Sequence, residues 1–167
     1  MTFTAGSRLL AEDLVTTLDL LLDPPRAQLR QTSGQTIATS TFTAVTFGAE
    51  DYDTDGGHDN VTNNSRYTAQ TAGVYRVSGK VSWSANATGQ RASQIYLNGS
   101  AINGSQSAWP AVAAVERQYT TVELDVTMAV NDYVQVFAFQ DSGGNLNTGV
   151  ANAQVQSILV VRWVGTG

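Results

Sequence analysis

The chain has no cysteine, a single histidine, three prolines and, in Lys80, a single lysine. Without cysteine it can form no disulfide, no thiolate metal site and no cysteine nucleophile, and the redox compartment is left open. One histidine, His58, leaves little material for acid–base or nucleophilic catalysis. The scarcity of basic residues, nine against 14 acidic ones and a net charge of −5, argues against a surface that tracks nucleic-acid phosphates or anionic lipid. No run approaches the ~20 apolar residues that span a bilayer, so no membrane insertion is expected. The opening residues lack a basic stretch leading into an apolar one, so no secretory signal is read there and synthesis in a cytoplasm is expected.

What the chain does have is enough apolar material for one core: 42% hydrophobic against 14% charged over 167 residues. Two regions differ in period. From Ser7 to Asp23, Leu9, Leu10, Leu14, Leu18, Leu21 and Leu22 recur at helical spacing, with Ser7 placed to cap and Glu12 and Asp13 near the favourable dipole end. Pro24-Pro25 then stops the helix, because the second ring excludes helical geometry at Pro24. So short a helix is marginal alone and should bury its leucine stripe against something.

Beyond Pro25 the period is two. Strands are predicted over residues 27–31, 39–47, 65–69, 73–85, 91–97, 117–130, 133–140 and 155–164, separated by Gly/Asn/Asp/Ser breakers that include Asn98-Gly99 and Asn103-Gly104. Eight strands at this spacing predict an all-β antiparallel sandwich of about 8–10 strands behind a short N-terminal α-helix. In strand 73–85, Tyr75, Val77, Gly79, Val81 and Trp83 share the inward face. Val134, Val136 and Ala138 oppose Tyr133, Phe137 and Phe139, so that strand is apolar on both sides. Strand 155–164, with Trp163, is similar. Apolar surface on both faces implies burial by a second copy as well as by the core. The expected subunit interface is Tyr75, Tyr133, Phe137, Phe139 and Trp163.

These residues carry a resemblance. Phe42–Phe47, Asn64–Tyr67, Gly73-Val74-Tyr75-Arg76-Val77, Leu97-Asn98-Gly99 and Asn131-Asp132-Tyr133-Val134-Gln135-Val136 resemble the complement C-one-q/tumour-necrosis-factor-like jelly roll over residues 26–167. Arg66–Gly73, Ala87–Arg91 and Phe139–Gly144 look like the versions found in bacteria and their phages. Thr4–Leu14 is similar to the openings of actinobacterial phage virion proteins, tail proteins especially, although Val15 stands where that pattern has Asn. The resemblance implies a homotrimer and a virion setting. It divides the chain into an anchoring segment, residues 1–25, and a jelly roll, residues 26–167. On this reading Leu9, Leu10, Leu14, Leu18 and Leu21 bind other virion proteins, of tail or capsid, after assembly in the host cytoplasm. A minor tail or tail-tip protein that contacts the host surface is expected, with capsid decoration, a head fibre, or a free bacterial sugar- or protein-binding module as alternatives.

Two clusters admit chemistry. Asp51, Asp53 and Asp55 alternate beside Gly56-Gly57-His58, a pattern fitting either hard-oxygen calcium ligands or a solvated acidic turn; the bidentate Glu of a standard calcium loop is missing. Trp109-Pro110 with Tyr96, Tyr119 and Arg91 fits either an aromatic platform for a host cell-surface glycan or ordinary packing. No Gly-x-Ser-x-Gly elbow and no phosphate-cradling loop occurs, and the paired carboxylates lack an apolar wall. No enzymatic activity and no cofactor are expected.

Overall fold

The computed structural model describes residues 11–112, 118–149 and 153–167. A helix, α1 (Ala11–Leu22), precedes twelve strands. These are β1 (Arg26–Arg30), β2 (Thr36–Ile37), β3 (Thr43–Ala44), β4 (Ala49–Asp53), β5 (Tyr67–Thr68), β6 (Gly73–Trp83), β7 (Gln90–Leu97), β8 (Ser100–Pro110), β9 (Gln118–Met128), β10 (Tyr133–Gln140), β11 (Leu146–Asn147) and β12 (Ile158–Gly165). One sheet runs β4-β1-β12-β6-β9; the other runs β3-β10-β7-β8, with β5 also on β10. All pairings are antiparallel, and neighbours such as β12 and β6 are far apart in sequence, as in a jelly roll.

The core follows from period-two alternation. Tyr75, Val77, Val81 and Trp83 of β6, Val134, Val136 and Ala138 of β10, and Leu159 and Val161 of β12 are wholly buried between the sheets. Gly79 lets the sheets approach: a Cβ there would stand 2.7 Å from Val136 Cγ2.

Three expectations need correction. Residues 39–47 hold only the two-residue β3, and β2 precedes them, so the expected long strand is broken into short pieces. The stretch 49–53, read as an acidic loop, is an edge strand. Asn103-Gly104, read as a breaker, lies inside β8. There four residues of β8, Ile102–Ser105, oppose Ile95 alone on β7, and the Ser105 hydroxyl, 2.7 and 3.0 Å from the carbonyls of Ile102 and Ile95, holds the bulge.

The sandwich has two distinct ends. At one, α1 leads in: the Trp163 N–H donates to the Pro25 carbonyl at 2.8 Å and the Trp163 indole to the Ala72 carbonyl at 3.2 Å. β6 starts here at Gly73 and runs about 33 Å to Trp83 at the far end. That distal end gathers the 84–89 turn and, by register, Arg91, Trp109, Pro110, Gln118 and Gln140.

Candidate binding surfaces

Most leucines of α1 stay uncovered by the sandwich. Leu14, Leu18, Leu21 and Leu22 are 58%, 49%, 69% and 74% exposed, while the half-buried Leu20 faces a groove with Thr16, Pro25, Asp55 and Thr71. The spacing of 14, 18 and 21 puts those three on one face of the helix, and that face is wet. Leu9 and Leu10 lie outside the described residues.

The expected interface residues separate. Tyr133, Phe137, Phe139 and Trp163 are half-buried. On the outer face of β10 and β7, the Phe137 and Tyr96 rings stack at 3.7 Å between centroids, and Phe42 meets Phe139 at 4.9 Å. The Arg66 guanidinium lies 4.6 Å from the Tyr133 ring centre. Tyr75 does not belong with them. It is wholly buried, 6.1 Å from the Tyr67 ring, and its hydroxyl donates to the Thr71 carbonyl at 2.6 Å. Inward parity on β6 places it in the core of a single copy.

The expected aromatic platform also divides. Trp109 and Tyr119 are each 60% exposed and, with Pro110, Ala111, Val112, Gln118 and Thr121, line a cleft of about 500 Å³ at the distal end. Gln118 shapes its floor, donating to the Pro110 carbonyl at 2.8 Å and accepting the Val112 N–H at 3.3 Å. Arg91 is absent from this cleft because its side chain points inward and is wholly buried. There its guanidinium donates to the carbonyls of Asn86, Thr88 and Gln90 at 3.1, 2.9 and 2.9 Å. Tyr96 is committed to Phe137 and pairs with Ala101, five residues along β7 from the Arg91–Trp109 pair. Val112 and Gln118 were not singled out from sequence; nothing in their pattern marks them.

The three aspartates of the acidic stretch do not meet at one point: Asp51 stands apart, while Asp53 and Asp55 are neighbours. Across β1 and β4 the register slips between Gln28 and Leu29, leaving Asp51 as the extra residue, which accepts from Gln28 Nε2 and Arg30 Nε, both at 2.7 Å. Asp53 accepts the His58 N–H at 2.8 Å, and Asp55 accepts the Tyr67 hydroxyl at 2.8 Å. The His58 ring Nδ1 lies 2.7 Å from the Arg66 carbonyl. Among the described residues no group of three His, Cys, Asp or Glu is placed to hold a metal ion.

Burial raises the Asp55 carboxyl above its ordinary range against the Tyr67 hydrogen bond, with Asp53 adding like-charge repulsion. A carboxyl raised in the folded state contributes stability that is complete below its unfolded pKa and lost as pH rises through the folded one. Asp55→Asn, which keeps an acceptor for Tyr67, is therefore expected to raise the melting temperature at pH 7 and leave it unchanged at pH 3. Thermal melts at the two pH values check this; a lower melting temperature at pH 7 would contradict it.

No protein-family model matches the chain, and no curated protein matches it. Solved structures do. The globular domain of zebrafish complement 1qA is 11% identical, covers 86% of this chain and 99% of its own, and superposes with a TM-score of 0.60. Murine APRIL, at 10% identity, covers 83% and 98% with a TM-score of 0.60. The PRD1 vertex protein P5, at 16% identity, covers 86% and 97% with a TM-score of 0.57. The fold is thus the C1q/TNF-like jelly roll.

Proposed function

We propose that the chain is a non-enzymatic structural protein of a phage particle, a homotrimeric knob held by its N-terminal helix and presenting its distal end to the host surface. The observation that carries this is the polarity of the molecule. A helix with a wet leucine stripe leaves one end, and an exposed Trp109/Tyr119 cleft opens at the other. Apolar surface that a single copy leaves uncovered calls for partners. The helix is the segment that other virion proteins would cover. The half-buried Tyr133, Phe137 and Phe139 form a surface that further copies would cover. Among the described residues the lining of the cleft is uncharged and has two aromatic walls, which suits the apolar face of a neutral sugar. Of an actinobacterial phage, the position favoured is the tail or tail tip.

The likeness to the PRD1 vertex protein favours a second location, a capsid vertex or decoration. The two locations share the same polarity and differ in the partner of α1.

The test uses the full chain. Sedimentation at micromolar concentration is expected to give three times the chain mass. Fluorescent protein should be retained on purified actinobacterial cell wall, with Trp109→Ala/Tyr119→Ala lowering retention at least tenfold while the trimer persists. A stable monomer would overturn the knob. Retention untouched by the double substitution would overturn the distal contact.

A further inference from the structure

The interior of the sandwich changes character towards its distal end. Midway the inward residues are apolar: Val77, Ile95, Val136 and Leu159. At the far end they are Trp83 and Thr120 on one sheet and Arg91 and Ser93 on the other, all wholly buried. Thr120 pairs with Val81, one inward step from Trp83, and Ser93 is one inward step from Arg91 on β7. β7 packs against β6 and β9, and the Arg91 guanidinium carbon lies 5.9 Å from the Trp83 ring centre. Same-face and diagonal neighbours on a sheet are ~7 Å apart and facing sheets ~10 Å apart, so the four side chains share the distal layers of the interior.

Among the described residues, each of the four carries a polar atom sealed from solvent and without a hydrogen-bond partner: Trp83 Nε1, Arg91 Nε, Ser93 Oγ and Thr120 Oγ1. Buried polar atoms are nearly always satisfied, so four orphans in adjacent layers mark a missing group. Their chemistry is one-sided. Indole and guanidinium N–H groups donate and cannot accept, and both hydroxyls can turn to donate. Three of the four remaining guanidinium donors meet neutral carbonyls, and among the described residues no carboxylate forms an ion pair with Arg91. Asp141 acts on it only through space, its carboxylate being engaged by the Gln90 N–H. Burial disfavours the guanidinium charge, and arginine does not escape by losing its proton.

We propose that the distal end of the sandwich holds one small monovalent anion of halide size, accepting from Arg91 Nε, Trp83 Nε1, Ser93 Oγ and Thr120 Oγ1. Such an ion satisfies four donors and neutralises the buried guanidinium; water would meet the hydrogen bonds and leave the charge. The consequence is mechanical. Arg91 grips the carbonyls of the 86–90 turn, so the ion ties that turn to both sheets, directly behind the strand that carries Trp109. This site stands independently of any role at a host surface.

The test exchanges chloride for gluconate at constant ionic strength and pH with the full chain. The melting temperature is expected to rise by about 3 °C for each tenfold increase in chloride above the dissociation constant. Crystals grown in bromide should show one anomalous peak between Arg91 and Trp83. Thr120→Val keeps the side-chain shape and removes one donor, so it should weaken the chloride dependence and lower the melting temperature in chloride. If the hydroxyl were merely an unsatisfied group, the same substitution would raise the melting temperature equally in both salts, and the proposal would fall. Ordered water without a bromide peak, or a chloride dependence retained in Thr120→Val/Ser93→Ala, overturns it as well.

Discussion

Particles assembled with the Leu14→Asp/Leu18→Asp double variant are expected to contain at least tenfold less of this protein than wild-type particles. The isolated protein should melt within about 2 °C of wild type, because exposed substitutions away from packing or caps usually shift stability by no more than ~0.5 kcal/mol. The contrast arises because Leu14 and Leu18 are about half exposed on a face of α1 that the sandwich leaves wet. Each leucine that a partner buries contributes roughly 1.5–3 kcal/mol, before the costs of ordering are subtracted. Two carboxylates in their place remove that gain and add charges that a partner would have to desolvate. Immunoblots of purified particles measure the first quantity and thermal melts the second. Normal incorporation would end the anchoring role of the helix. A large drop in melting temperature would mean that the stripe belongs to the fold.

The second large effect concerns Tyr75. Tyr75→Ala is expected to destabilise a single folded copy by about 3–5 kcal/mol, the range for removing a buried aromatic ring. In a domain of this length that lowers the melting temperature by roughly 10 °C. The ring is wholly enclosed and its hydroxyl is bonded to the Thr71 carbonyl, so truncation leaves both a cavity and an unpaired acceptor. Tyr75→Phe keeps the ring and should cost only about 1 kcal/mol. An interface residue would behave differently, with the melt of the single copy preserved and the oligomer dissociating at lower dilution. Denaturant titration of both variants alongside sedimentation separates the two outcomes.

What the sequence disclosed follows the strength of the apolar pattern. β6 alternates apolar and polar residues along its length and β10 and β12 are apolar on both faces, and all three are read with bounds close to those observed. β8 was missed because Ser100, Asn103, Gln106 and their neighbours give no apolar period; most of both its faces is wet. β4 was missed because its acidic side chains suit a loop, and only Gln28 and Arg30 on the adjacent strand make Asp51 at home in a sheet. The site was less legible. Trp109 and Arg91 read alike, as one aromatic platform or as ordinary packing, whereas the structure leaves Trp109 exposed and buries Arg91. Parity could have corrected this, since Ile95, Ser93 and Arg91 share one face of β7 and Ile95 is apolar. The grip of Arg91 on three backbone carbonyls could not be read, because it depends on how the 86–90 turn folds back over the strand.

The polar, bulged β8 has a bearing on how such a protein tolerates crowding. It closes one edge of its sheet, where a long straight row of free amide groups would invite the same strand of a nearby molecule to zip alongside. Serine and asparagine side chains, the Ile102–Ser105 kink and a terminal proline make that edge a poor template for fibrous stacking. A molecule blunted in this way can stand at high density beside its own kind without sticking.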